Sequence, residues 1–433
     1  MPTKRSEAGA LLEGDRSAAE RLARTLLKPL SGNFVERPWG GTRMRAYKGL
    51  PEPAETGAPI GEAFELAACD EDEEARRYPS RVRFDDGSEA TLPELLRRHA
   101  ETLLGPALGR RYGACFPLLP KTLDVAELLS VQAHPPGNPE VYVIIDADPG
   151  ATIRLGFAAD IDPEPFKRRL HAGRREQREL LEVLGAGDRA HVLQGLLKPW
   201  LAARNARVSE LEPALRDAFP AATARWGTVA ALLESLKALY WDVLDALNAI
   251  PVERGQVIHN ANPARIAAVT GLPPSAEVHA LGNPEGRAIL ALEIRRPGPT
   301  LRAWDNVRFP VRDVDVDAAV DALNLRRTSP EEYLVEPRPV PGRPGVFLSV
   351  ESPFFRIEHL RPLPGRPLDV PAEPAHCLHA ISGRASLATA GGEALGELGR
   401  GESALVPAKV GAYRVIGESP GTEIVKVSLP DGG

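Results

Sequence analysis

The sequence predicts a mainly β protein carrying one helical insertion, and three observations support that class. Proline (42 residues) and glycine (39) are abundant although 43% of the chain is hydrophobic, which describes a folded, turn-rich protein. Short apolar runs broken by Gly, Pro and Asp occupy residues 29–157 and resume after residue 250. Between them, residues 161–249 are rich in Ala, Leu, Glu and Arg with little β-branching, a composition that suits helices.

A chain of 433 residues is too long for one ordinary core and suggests two to three domains. In residues 1–28, Ala19, Leu22, Leu26 and Leu27 fall at helical spacing, so an amphipathic helix packed on the body is expected. Residues 29–160 carry the runs NFVERPWGGTRM, IGEAFELAA, RVRF, LLSVQAH, VYVIID and ATIRLGF, expected as strands of an antiparallel sandwich. Residues 250–334 complete that unit, with a strand pair expected over 281–294. Within the insertion at 161–249, Leu232, Leu236, Leu239, Val243 and Leu247 recur every three or four positions until Pro251 stops the pattern. Four prolines and two glycines in 335–345 mark a linker, and the strand-and-turn pattern of the remainder of 335–433 suggests a separate small β-barrel.

The formal charge of −6 contains no basic block, which argues against a nucleic-acid partner. Cys69, Cys115 and Cys377 are odd in number, far apart and without a CxxC pair, so reduced thiols are the simplest expectation. The N-terminus lacks the apolar core of a signal peptide, and no run approaches the ~18–20 apolar residues that span a bilayer. A soluble, cytoplasmic protein without a membrane partner is expected, its oligomeric state left open.

Chemistry concentrates in residues 116–140, FPLLPKTLDVAELLSVQAHPPGNPE. Gln132 and His134 are two apart, so on a strand both point to one face, and Glu140 follows a proline-bounded turn. Nitrogen and oxygen donors in that order suit one divalent cation, zinc among them, with a further donor to come from elsewhere. His259 in VIHNANP and His279 in EVHALG both follow turns, and the residues alone leave the two open. His376 and His379 in HCLH are three apart, which on a strand places them on opposite faces and argues against a second metal site.

Taken together, FVERPWGG (34–41), IGEAFELAA (60–68), LPELLRRHAETLLG (92–105), FPLLPKTLD (116–124), LLSVQAHP (128–135), PE followed by VYVIIDADPG (139–150), VHALG (278–282) and, more weakly, EIRRPGPTLRAWD (293–305) resemble the type I phosphomannose isomerases of the cupin superfamily. The resemblance implies cupin-type barrels, that is, double-stranded β-helix jelly rolls, with an α-helical domain. It implies one Zn²⁺ per chain on Gln132, His134, Glu140 and His279, and the interconversion of mannose 6-phosphate and fructose 6-phosphate through a cis-enediol. It also points to Arg302, Lys121 and Glu293 as catalytic groups, and to Ser130 and Arg308 as contacts for a sugar phosphate.

Three features depart from the family pattern. Asn138 stands where a lysine is usual, the segment after Glu293 reads RRPGPTLRAWD in place of a polar turn, and PPSAEVHA lacks the usual glycine before its histidine. The alternatives to a mannose-6-phosphate isomerase are therefore an isomerase of another sugar phosphate, or a non-catalytic sugar-phosphate-binding cupin.

Overall fold

A computed structural model describes residues 6–30, 33–51, 59–70, 73–135, 137–260, 277–363 and 365–430. Its frame is a stack of antiparallel sheets. A five-stranded sheet packs on a seven-stranded sheet, whose other face meets a six-stranded sheet backed by a four-stranded one.

The Val141–Ala147 strand shows why the layers stack. Tyr142 and Ile144 point into the core shared with the five-stranded sheet, while Val143 and Ile145 point into the core shared with the six-stranded sheet. A strand covered on both faces must be apolar at every position, and VYVII is. The first and second sheets thus form the expected sandwich, and the C-terminal sheets share a core with it. All the sheets are open: the expected barrels are not closed among the described residues, and the β layers are facing sheets.

Helices cover the edges and form the insertion. Pro163–Leu184 begins at Asp162, whose side chain accepts the Glu164 N–H, and ends at Gly185 in the left-handed conformation. It packs on Trp226–Asp245 closely enough that a Cβ on Gly173 would lie 2.1 Å from Leu239 Cδ2, so any larger residue must displace that methyl group. Leu92–Leu104 carries a reciprocal Thr91/Glu94 capping box.

Several expectations need correction. The N-terminal helix is two short ones, Glu7–Leu12 and Arg16–Leu22. Leu27 lies beyond them and exchanges both backbone hydrogen bonds with Leu405, because a β-bridge to the C-terminal unit satisfies groups that a fraying helix end would leave to water. Leu247 belongs to the strand Leu247–Pro251, which pairs with Thr152–Phe157, rather than to the helix before it. The expected strand pair at 281–294 is no hairpin: His279–Ala280 lies in the five-stranded sheet and Ile289–Ile294 in the seven-stranded one, with Gly282 at φ +91 turning the chain between layers. The linker contains two edge strands, Leu334–Val335 in the seven-stranded sheet and Arg338–Pro339 in the six-stranded sheet.

Cys69 and Cys115 are joined in a disulfide, against the expectation of reduced thiols; only Cys377 is free, and it is buried. Their separation of 46 residues hid the pair in sequence, but Phe116 donates its N–H to the Ala68 carbonyl and so draws the two segments together. No described helix is long and apolar enough to cross a membrane.

Candidate metal and active site

Two cross-strand rows, one from each sheet of the sandwich, face a common cavity. In the five-stranded sheet, Gln132 is in register with His279 on one side and Arg302 on the other. In the seven-stranded sheet, Glu293 is in register with Lys121 and with Tyr142. Polar side chains at these positions interrupt strands that are otherwise apolar, and they do so at one end of the sandwich. The cavity between the rows measures about 130 Å³ and is lined by Ser130, Gln132, His134, Glu140, Lys121, Glu293, Arg302 and Arg308 among others.

His134, Glu140 and His279 are buried and bring their ligand atoms within 4.8 Å of one another. Each histidine is oriented from behind: His134 Nδ1 lies 3.0 Å from the Pro299 carbonyl and His279 Nδ1 lies 3.0 Å from the Glu277 carbonyl. With Nδ1–H donated to a carbonyl, each ring turns its Nε2 lone pair inward. His134 Nε2 is 2.5 Å from Glu140 Oε1 yet has no hydrogen-bonding geometry to any partner. His279 Nε2 is 3.3 Å from Glu140 Oε2 and 3.2 Å from Gln132 Nε2. The convergence of His134, Glu140 and His279 fits a shared cation, and two imidazoles and a carboxylate are a donor set that zinc accepts, while Gln132 turns its amide nitrogen to His279.

Glu140 is fixed on several sides. Its N–H donates to Asn260 Oδ1 at 2.7 Å, and Tyr142 O–H and Asn260 Nδ2–H donate to Oε2. Burial opposes ionisation of Glu140, but the neighbouring His134, His279 and Arg295 outweigh it and hold the carboxyl well below the usual range. Burial, against the pull of Glu140, lowers the His279 pKa and so favours the neutral, ligating form.

The second row behaves differently. Glu293 is buried and repelled by Glu140, which together push its carboxyl up to about 8 despite Lys121 and Arg295. Arg295 Nε lies 3.3 Å from Glu293 and 3.7 Å from Glu140, bridging the two carboxylates. Burial also lowers the Arg302 pKa, and no ion pair to Arg302 is present among the described residues, so its charge faces the cavity. Ser130 Oγ donates to Gln132 Oε1 at 3.0 Å. Arg308 reaches the cavity but is also tied to Asp305 at 3.0 Å and to the Leu128 carbonyl at 2.8 Å.

The departures in sequence are built into the same wall. Asn138 Oδ1 accepts the Arg296 N–H at 3.1 Å, and the turn it holds presents the Pro299 carbonyl to His134. Residues 274–276 of the histidine turn lie outside the described residues. His259 sits on Val257–His259 away from the cavity, where burial alone drives its pKa down to about 4. His376 and His379 separate as the spacing requires, the first meeting Tyr413 and the second meeting Tyr47 and Ser403.

Sequence reasoning missed Arg37, Glu62, Glu74, Tyr142 and Arg295. Tyr142 was within reach, being two residues from Glu140 on the same face. Glu62 was too, as an acid inside the fully buried strand Ile60–Phe64.

Fold and site together define a β-sandwich with a buried His–Glu–His centre at one end. Residues 27–150 match the family model described as phosphomannose isomerase type I, catalytic domain. Through this segment the chain resembles the type I phosphomannose isomerases. Mannose-6-phosphate isomerase of Streptococcus mutans is 29% identical over 178 residues, a match that covers 38% of this chain and 46% of that protein. The chain thus spans about half the length of the curated relatives it matches.

The fold likeness extends further. Mannose 6-phosphate isomerase from Bacillus subtilis superposes with a TM-score of 0.59 at 19% identity, covering 94% of this chain and 100% of that one. A variant of phosphomannose isomerase from Salmonella typhimurium gives 0.60 at 18%, covering 94% and 99%.

Proposed function

We infer that the protein is a zinc-dependent aldose–ketose isomerase that interconverts mannose 6-phosphate and fructose 6-phosphate. The observation that carries this reading is the convergence of His134, Glu140 and His279, with Gln132 beside them, where His134, Glu140 and Gln132 lie inside a segment matching the catalytic domain of that family. Zinc on these four residues would supply electrophilic stabilisation for charge developing on the sugar oxygens.

The chain's own groups divide the remaining work. Arg302, charged and without an ion partner among the described residues, neutralises an enediolate oxygen or holds the phosphate. Ser130 and Arg308 contribute to the phosphate side. Glu293 acts as the base on the ring-opened aldose: it takes the proton from C2, the C2–H electron pair becomes the C1–C2 double bond, and the carbonyl oxygen is protonated to give a cis-enediol. Return of a proton to C1 and loss of the O2 proton give the ketose. A carboxyl pushed to about 8 suits a group that must both take and return a proton near neutral pH. Lys121, 3.9 Å from Glu293 Oε1, moderates that affinity and is a second candidate for proton transfer.

A different hexose phosphate as substrate is the second reading, favoured by the wall that Asn138 and the Pro297–Gly298–Pro299 turn reshape. The test is to incubate zinc-loaded protein with mannose 6-phosphate and assay fructose 6-phosphate. Absence of product from any hexose phosphate at full zinc occupancy would leave a binding protein rather than an enzyme.

A further inference from the structure

Three guanidiniums from one stretch of chain line the cavity, those of Arg302, Arg308 and Arg312, and the ion pairs among the described residues give them a single carboxylate, that of Asp305. Asp305 is buried just past the strand Leu301–Trp304 and divides its oxygens between two of them. Its Oδ1 accepts from Arg308 Nη1 at 3.0 Å, and its Oδ2 lies 3.5 Å from Arg312 Nε. The neighbouring Asn306, at φ +56, donates its side-chain amide to the Leu128 and Leu129 carbonyls, and Arg308 Nη2 donates to the Leu128 carbonyl as well. These bonds latch the segment to the two residues that lead into Ser130.

The two arginines that share Asp305 are not equivalent. Both terminal nitrogens of Arg308 already donate to protein acceptors, and its side chain is 15% exposed. Arg312 is 49% exposed and meets Asp305 through Nε, so its Nη groups have no acceptor among the described residues. Three guanidiniums that share one carboxylate leave two positive charges, which matches the charge of a phosphate dianion. We propose that Arg312 is a phosphate-binding residue whose Nη groups grip the dianion, and that Asp305 is a positioning residue that holds Arg308 and Arg312 to one anion. That the anion is the phosphate of a sugar phosphate, on the side of Ser130 and Arg308, rests on the reading above. Asp305 repels the anion it helps to seat, so positioning and charge alone predict opposite outcomes when its carboxylate is neutralised.

The test measures binding of inorganic phosphate to the zinc-loaded full chain by calorimetry, with mannose 6-phosphate kinetics alongside. Arg312→Gln is expected to raise the phosphate Kd and the KM for mannose 6-phosphate about tenfold, the low end for a charge-assisted pair because the side chain is half exposed, with kcat little changed. Arg326→Gln is the control, since Arg326 is exposed and does not line the cavity, and it should change neither. Asp305→Asn is expected to weaken phosphate binding although it removes a repelling charge. Unchanged phosphate binding in Arg312→Gln, a loss of kcat at unchanged KM, or no phosphate binding by the parent overturns the inference. Tighter binding in Asp305→Asn overturns the positioning role. Weaker phosphate binding in Arg312→Gln with no turnover of mannose 6-phosphate by the parent would remove the isomerase reading while leaving the anion site in place.

Discussion

Lys121 and Glu293 face each other across neighbouring strands, Nζ 3.9 Å from Oε1, and the lysine stabilises the ionised form of a carboxyl that burial and Glu140 nonetheless push up to about 8. If Glu293 is the base, the active form is the ionised one, so kcat/KM rises with pH through the ionisation of Glu293. A metal ion beside Glu140 draws that limb below 8. Lys121→Met removes a stabilising cation, and the limb moves to higher pH. Glu293→Gln lowers kcat by about 10²–10⁴. A pH–rate limb that stays in place in Lys121→Met would assign the titration to another group.

His134 lines the cavity, whereas His259, one of the two histidines that the residues alone left open beside His279, lies away from it. His134→Ala is expected to abolish stoichiometric zinc binding while cooperative unfolding persists, since the ring lies at the end of the sandwich and not in its apolar cores. His259→Ala keeps the metal and loses about 1–3 kcal/mol of stability, as a buried side chain in a packed strand should. Metal analysis after dialysis, with thermal melts, decides between them.

Arg302→Ala leaves the zinc content and the melting temperature close to those of the parent, because no described residue depends on the guanidinium for an ion pair. Turnover falls by about 10²-fold, the usual loss when one donor to a developing oxyanion is removed. Wild-type kinetics in this variant would transfer the role to Arg308.

The Cys69–Cys115 link closes a loop of 46 residues that contains Glu74 and the Leu92–Leu104 helix. Cys115→Ser is expected to cost roughly 2–4 kcal/mol through the greater freedom of the unfolded chain. Denaturant unfolding measures the loss, and reductant should produce a similar loss in the parent and none in the variant.

How much of this could be seen in the sequence depended on how local the signal was. Gln132 and His134 share a face by strand alternation, and Glu140 follows within a few residues, so these three candidates for the cavity wall were legible directly. The choice of His279 over His259 was not, because it rests on strand register: His279 pairs with Gln132, 147 positions away, and no local pattern reports that pairing. The same holds for Leu247, whose helical spacing was real but whose partner strand Thr152–Phe157 drew it into the sheet. Arg295 illustrates a third kind of gap. Beside Glu293 in sequence it reads as a simple strand-end partner, yet it also reaches Glu140, and only the folded geometry joins those two acids through one guanidinium.

Proton exchange tests most directly whether the His134–Glu140–His279 centre serves an isomerisation. Zinc-loaded protein and mannose 6-phosphate in D₂O, followed by proton NMR, should yield fructose 6-phosphate with deuterium entering at C1 of the ketose or C2 of the aldose. His134→Ala should yield neither. Full zinc occupancy with no ketose formed and no C–H exchanged would contradict the account.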